Sequence, residues 1–253
     1  VDSEAWRLFD RLAADYDQEL PFFARYGESI VDVLAPAPGA RFLDLGAGRG
    51  ALSAAALRRG CAVTAVDAAP AMVARLRAEF PTVAVHLMDA QSLSFPDDEF
   101  DLVAAAFVVH LVDEPERAVA QARRVLVPGG RLAFTGGTLR QPANDLGDRL
   151  HALFGEFNAY LPPGGGMGRP IDPPRLLADA GFVDVREAQA ETAVPVPDSA
   201  VLWRWAMSHG YRAFIEDLPA PRREEFRERL LVLPIGDGIL RRSASIWSGA
   251  KPH

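Results

Sequence analysis

Three aspartates, each placed where an apolar run ends, are the residues of this sequence best suited to hold a ligand. Asp44 stands in Phe42-Leu43-Asp44-Leu45, two residues before the glycine-rich turn Gly46-Ala47-Gly48-Arg49-Gly50. Asp67 closes the run 62–66, about twenty residues after the turn, and Asp89 follows the run 83–87. Glycine in such a turn lets a ligand approach the backbone closely. A carboxylate at the second strand end can accept both hydroxyls of a ribose. One at the third can accept from an adenine amino group.

The turn alone is ambiguous, because Gly46, Gly48 and Ala51 also satisfy a Gly-x-Gly-x-x-Ala dinucleotide fingerprint. Asp44 separates the readings. It would set negative charge beside an anionic pyrophosphate, whereas S-adenosylmethionine brings an ammonium and a sulfonium. A nicotinamide-dependent oxidoreductase accounts for the turn and Asp67 but leaves Asp44 and Asp89 unexplained. A non-catalytic S-adenosylmethionine-binding module is the other alternative, and long helical insertions argue against it.

Methyl transfer from a sulfonium requires chiefly that acceptor, methyl and sulfur be aligned in a dry pocket. A base is needed only where the acceptor must lose a proton. His110, just past the fourth apolar run at 102–109, is the best-placed histidine. Tyr16 could close over the methyl group or simply pack the N-terminal helix. His151 and His209 fall on later helices and are weaker candidates; His86 reads as a packed or exposed strand residue and His253 as a tail residue. Trp203, Trp205, Met207 and Tyr211 are either core or an apolar wall for an aromatic or polyketide-like acceptor. No metal site is expected, since no His/Asp/Glu cluster has ligand spacing. Ala104-Ala105-Ala106-Phe107 lack the Asn/Asp-Pro-Pro-aromatic clamp that serves exocyclic amines of nucleic-acid bases, and no Gly-x-Ser-x-Gly elbow occurs.

These residues need a scaffold, and the pattern supplies one. Strands at 42–45, 62–66, 83–87, 102–109 and 131–135 alternate with helices at 51–59, 70–79 and 114–126. Such alternation predicts a mostly parallel sheet covered on both faces. Helical character over the first forty residues precedes it. After residue 136 the rhythm changes to a helix at 142–160, a Gly/Pro-rich loop at 161–174 and a helix at 175–180. A strand at 182–191, two helical stretches within 199–233 and a last strand at 239–251 complete the chain. We read one domain, 1–253: a helical cover (1–38), a cofactor core (39–137), lid insertions (138–175, 198–235) and the last part of the sheet (176–191, 236–251).

From about Phe9 to Thr135 the chain resembles the class I methyltransferases of the ubiquinone/menaquinone-biosynthesis type. The segment from Phe9 to Asp17 is similar to the family's opening segment, which folds over the cofactor. Asp44 to Gly50 matches its glycine motif, and Asp67-Ala68-Ala69-Pro70-Ala71-Met72 its Asp-x-Ser-x-x-Met segment, with Ala69 for serine. Asp89-Ala90 with Leu93-Ser94-Phe95 resembles its Asp-Ala-x-x-Leu-Pro-Phe segment, with Ser94 for proline. Residues 100–110 and 124–132 match later strand motifs. The resemblance implies a Rossmann-like, doubly wound sheet of seven strands, the last antiparallel. It implies S-adenosyl-L-methionine as cofactor and S-adenosyl-L-homocysteine as product. Asp44, Gly46, Ala47 and Gly48 would hold the methionine end. Asp67 and Ala68 would hold the ribose, Met72, Asp89 and Ala90 the adenine, with Phe107 also at the cofactor.

Composition narrows the partners. A net charge of −7 argues against a nucleic-acid backbone, and 49% hydrophobic residues in 253 suffice for one good core. Lys251 is the only lysine, which excludes Schiff-base chemistry on an internal lysine and a P-loop. The acidic start Val1-Asp2-Ser3-Glu4 reads as no secretory signal. A single cysteine, Cys61, fits the cytoplasm. No apolar run is long enough to span a membrane. The expected partner is a small organic acceptor, and the oligomeric state is left open.

Overall fold

The computed structural model describes residues 5–140, 145–166 and 168–253. Helices α1 (Ala5–Leu12) and α2 (Phe23–Leu34) precede β1 (Arg41–Leu45), α3 (Ala51–Arg58), β2 (Ala62–Asp67), α4 (Pro70–Glu79) and β3 (Ala84–Leu87). Then come β4 (Phe100–Ala105), α5 (Pro115–Val125), β5 (Leu126–Arg140), α6 (Asp145–Asn158), α7 (Pro173–Asp179) and β6 (Val183–Pro195). Helices α8 (Ser199–Met207), α9 (Tyr211–Asp217) and α10 (Ala220–Leu231) lead into β7 (Ile239–Ala250).

The seven strands form one sheet in the order β3-β2-β1-β4-β5-β7-β6, with β7 antiparallel to both neighbours. This is the seven-stranded arrangement that the motifs implied. The central strands β1 and β4 are buried almost without interruption, as parallel strands covered on both faces must be. Successive side chains point to opposite faces. Phe42, Leu102, Ala104 and Ala133 join the core under α2 and α3, while Leu43, Leu45, Val103 and Phe134 join the one under α5 and α7. The strand order reverses between β1 and β4, and ligands bind outside the carboxyl ends at such a switch point.

Several expected boundaries move. The helical character of the first forty residues resolves into two helices; in the first, Leu8 and Leu12 are buried, while Trp6 and Phe9 stay partly open. The fourth strand stops at Ala105, where Phe107 turns the chain with a φ of 58°. β5 starts directly at the end of α5 and accommodates Pro128-Gly129-Gly130 by a register shift against β4. The region 199–233 carries three helices rather than two, because Gly210 and Pro219 each restart the chain. The expected helix over 142–160 is seen as α6; its first residues, Pro142 to Asn144, lie outside the described residues.

Candidate active site

The turn after β1 meets the turn after β4 at the switch point. Gly46 takes a φ of 64°, and a Cβ there would lie 2.4 Å from Val108 Cγ2, so only glycine fits. Gly48, at φ 52°, has open space before it, with Tyr16 Cε1 3.9 Å from the position of a Cβ. Asp44 lies at the end of β1, 1% exposed. Its Oδ2 accepts from the backbone N–H and the hydroxyl of Ser53, at 2.9 and 2.7 Å, and so satisfies a free donor at the start of α3. Its Oδ1 is buried with no partner among the described residues, in a carboxylate that borders the cavity beneath the turn. Burial pushes this carboxyl up to about 7 despite the Ser53 bonds. A cationic ligand would satisfy the orphaned oxygen and favour the charged form, which is how S-adenosylmethionine fits here.

Asp67, at the end of β2, accepts from Gly48 N–H and Ala69 N–H, each at 2.8 Å. Burial pushes its carboxyl up, with those N–H groups opposing. Asp10 of α1 accepts from Ala71 N–H at 2.7 Å, capping α4 from the far side of the cleft and anchoring the N-terminal cover. Asp89 is exposed and accepts from the backbone and side chain of Gln91. Gln91, which sequence reasoning passed over, in turn accepts from Glu114 N–H and so fixes the start of α5. Ala68, Met72, Asp89, Ala90 and Phe107 line one cleft with Gly46, Gly48 and Asp67. Ala47 lies on the other side of the turn with Asp44. The cleft is narrow and lined mostly by apolar side chains, with Asp67 and Asp89 as its charged groups.

A larger cavity opens beyond it, bordered by α6 and α9. The two share Phe9, Tyr16, Phe107 and Leu111 as a common wall. Tyr16 borders the cleft, the larger cavity and the cavity beneath the turn. Its ring stacks on Phe23 at 5.3 Å. Burial, with Asp17 and Asp67 nearby, holds its hydroxyl far above the usual range, so it stays a proton donor. Phe107 is kept in its left-handed conformation by donating its N–H to Thr135 Oγ1 at 2.8 Å.

His110 and His209 line the larger cavity, and the exposed His151 also borders it. His110 sits under the segment that follows residue 167: its carbonyl accepts from Arg169 N–H, and its buried Nδ1 has no partner among the described residues. Burial holds its imidazole down at about 4, not at the near-neutral value of a free side chain. His209 is 6% exposed and held at about 4 by the same cause. Its Nδ1–H donates to the Trp205 carbonyl, which leaves Nε2 as the unprotonated nitrogen. Of the aromatic stripe only Tyr211 lines this cavity, together with Phe154 and Phe214; Trp205 is 1% exposed and backs the wall against Phe22. His86 packs edge-on against Phe95, away from both cavities. Among the described residues no group of three His, Cys, Asp or Glu side chains is placed to hold a metal.

A profile described as a methyltransferase domain matches residues 43–134. The nocamycin O-methyltransferase of Saccharothrix syringae is 33% identical over 239 residues, covering 85% of this chain and 85% of that protein. The aklanonic acid methyltransferase of Streptomyces sp. strain C5 is 34% identical over 144 residues, or 53% of this chain and 65% of its own length. Among solved structures, the YcgJ protein of Bacillus subtilis shares the fold with a TM-score of 0.60, over 90% of this chain and 99% of that one, at 18% identity. With a relative of such identity matched along most of both chains, the conclusion is direct: this chain belongs to the class I S-adenosylmethionine-dependent methyltransferases.

Proposed function

We propose that this methyltransferase acts on an oxygen of a bulky, aromatic-rich organic molecule held in the lid cavity. The observation that carries the reading is the wall of Tyr16, Phe107, Phe9 and Leu111 common to the cleft and the lid cavity. S-adenosylmethionine, when bound, supplies a methyl carbon on a sulfonium that an oxygen can displace in line. Asp44, Gly46, Ala47 and Gly48 hold its amino-acid end, Asp67 and Ala68 its ribose, and Met72, Asp89 and Ala90 its adenine. Phe107 lies alongside. The relative matched over most of the chain is named for O-methylation of nocamycin, which supports oxygen as the acceptor atom.

His110 takes the proton of a hydroxyl acceptor. Burial keeps it unprotonated at physiological pH, with a basicity below that of an ordinary imidazole. Tyr16 closes over the methyl group and donates a hydrogen bond without ionising. Alignment between these side chains supplies most of the rate where the acceptor is already ionised.

Cys61 is buried and free, which suits a reducing compartment, and we place the protein in the cytoplasm. Among the described residues no helix is long and apolar enough to cross a membrane.

The test uses S-adenosylmethionine carrying ¹³C at the transferred methyl, with hydroxylated naphthoquinones and naphthoates offered as acceptors. The carbon resonance of the product reports the atom to which methyl is bonded. Label on oxygen supports the proposal, and label on ring carbon overturns it.

A further inference from the structure

Arg242 is the second of two adjacent arginines on β7. Alternation along the strand sends them to opposite faces. Arg241 reaches Asp237 in an ion pair. Arg242 turns inward, is 2% exposed, and lines the lid cavity. A guanidinium is charged at any physiological pH, and a buried charge without a partner is costly. Yet no carboxylate pairs with it among the described residues, and its Nε is buried without a hydrogen-bond partner. The titratable groups that sense it are Tyr26 and His209. Burial keeps both of these neutral, the phenol pushed up and the imidazole held at about 4. Glu191, on the neighbouring strand β6, is exposed and forms no ion pair with it among the described residues.

Nothing in the surroundings offsets that charge. Arg169 also lines the cavity, the buried His110 and His209 are neutral, and no Asp or Glu is among its described lining residues. That is a sharp departure for a chain with 34 acidic and 27 basic side chains. Arg169 is half exposed at 52% and already has Asp113 3.8 Å away, so it answers to solvent. Arg242 does not.

We propose that the acceptor is an acid whose carboxylate docks on the Arg242 guanidinium inside the lid cavity. A guanidinium is a planar fork that takes both oxygens of a carboxylate, and the Nε of this one has no protein partner to give up among the described residues. The apolar rings of Phe154, Tyr211 and Phe214 hold the body of the same molecule. This inference deepens the reading of methyl transfer into the lid cavity and rests on it.

The experiment is titration calorimetry of the full chain, first with S-adenosylhomocysteine. The loaded protein is then titrated with 3-hydroxy-2-naphthoate and, separately, with its uncharged carboxamide. Wild type should bind the acid at least tenfold more tightly than the amide. Arg242→Met should abolish the preference, Arg242→Lys should keep part of it, and Arg169→Met should leave most of it. No preference in wild type, including no detectable binding of either probe, overturns the inference, as does a preference that survives Arg242→Met. Thermal melting of the ligand-free variants guards against misfolding. Arg242→Met should melt higher than wild type because an uncompensated buried charge is gone, whereas an arginine with a purely structural role would melt lower when removed. Failure to bind S-adenosylhomocysteine would instead count against the methyl-transfer reading, so the two outcomes are distinct.

Discussion

The backbone N–H of Gly48 donates to Oδ2 of Asp67 at 2.8 Å, so the turn after β1 and the end of β2 are held as one piece. Asp67→Ala removes this clamp together with the acceptor offered to the ribose. We expect a loss of about 1.5–3 kcal/mol in affinity for S-adenosylhomocysteine by calorimetry. Asp67→Asn, which retains one acceptor oxygen, should lose less. Unchanged affinity in a folded Asp67→Ala protein would put the ribose elsewhere.

Asp44 makes cofactor binding depend on pH. Its carboxyl, raised to about 7 by burial, is only partly ionised at neutrality. An ammonium beside it favours the charged form, so binding expels a proton. Affinity should therefore rise between about pH 6 and pH 8, and the heat of binding should vary with the ionisation enthalpy of the buffer. Asp17, which borders the same cavity, is itself pushed up to about 6 by burial. The informative quantity is thus the difference between wild type and Asp44→Asn, which should have the flatter profile. Identical profiles would rule out contact between the ammonium and Asp44.

For a hydroxyl acceptor, His110→Ala should slow kcat by about 10²–10⁴-fold with little change in cofactor affinity. The free-imidazole value of about 6.5 would place an acid limb just below neutrality. Burial holds His110 at about 4 instead, so kcat at saturating cofactor should stay level on acidification and fall only as the pH nears 4. A limb near 6.5 that survives His110→Ala would remove this residue from proton transfer.

Acid stability provides a separate check on His209. Its folded value, about 4, lies below that of the unfolded chain. Its contribution is therefore complete above about 6.5 and is lost as the pH falls through 4. Asp44, raised to about 7, acts in the opposite sense: its contribution is complete below about 4 and is lost as the pH rises through 7. His110, also held at about 4, acts with His209, and Asp17, raised to about 6, acts with Asp44, so wild type alone is uninformative. Between pH 6.5 and pH 4, His209→Phe should lose less melting temperature than wild type. Equal losses would mean that His209 titrates alike in the folded and unfolded chain.

The elements around the cofactor were legible because their signals are local. Pro70 opens α4 at its first residue, and the apolar runs at β1 and β2 end at acids that the structure keeps at the strand ends. The lid was less legible. Whether Arg241 or Arg242 turns inward depends on the register of β7 against β6, where Arg242 pairs with Thr192, and no nearby residue encodes that choice. His209 looked like an ordinary helix residue. Its burial comes from the break between α8 and α9, which folds it between Trp205 and Tyr211. Gln91 carried no signal, since its two roles join residues 89 and 114 across a turn.

The wall built by Phe9 and Tyr16 has a kinetic consequence. It belongs to a cover tied to the lid helices at the surface, by Arg11 to Glu216 and Glu19 to Arg204. A molecule seated in the lid cavity presses on this wall from one side, and the cofactor must enter and leave from the other. We therefore expect an ordered sequence: cofactor first, acceptor second, methylated product out before S-adenosylhomocysteine. In steady state, S-adenosylhomocysteine should compete with S-adenosylmethionine but not with the acceptor, and excess acceptor should trap the spent cofactor and slow turnover.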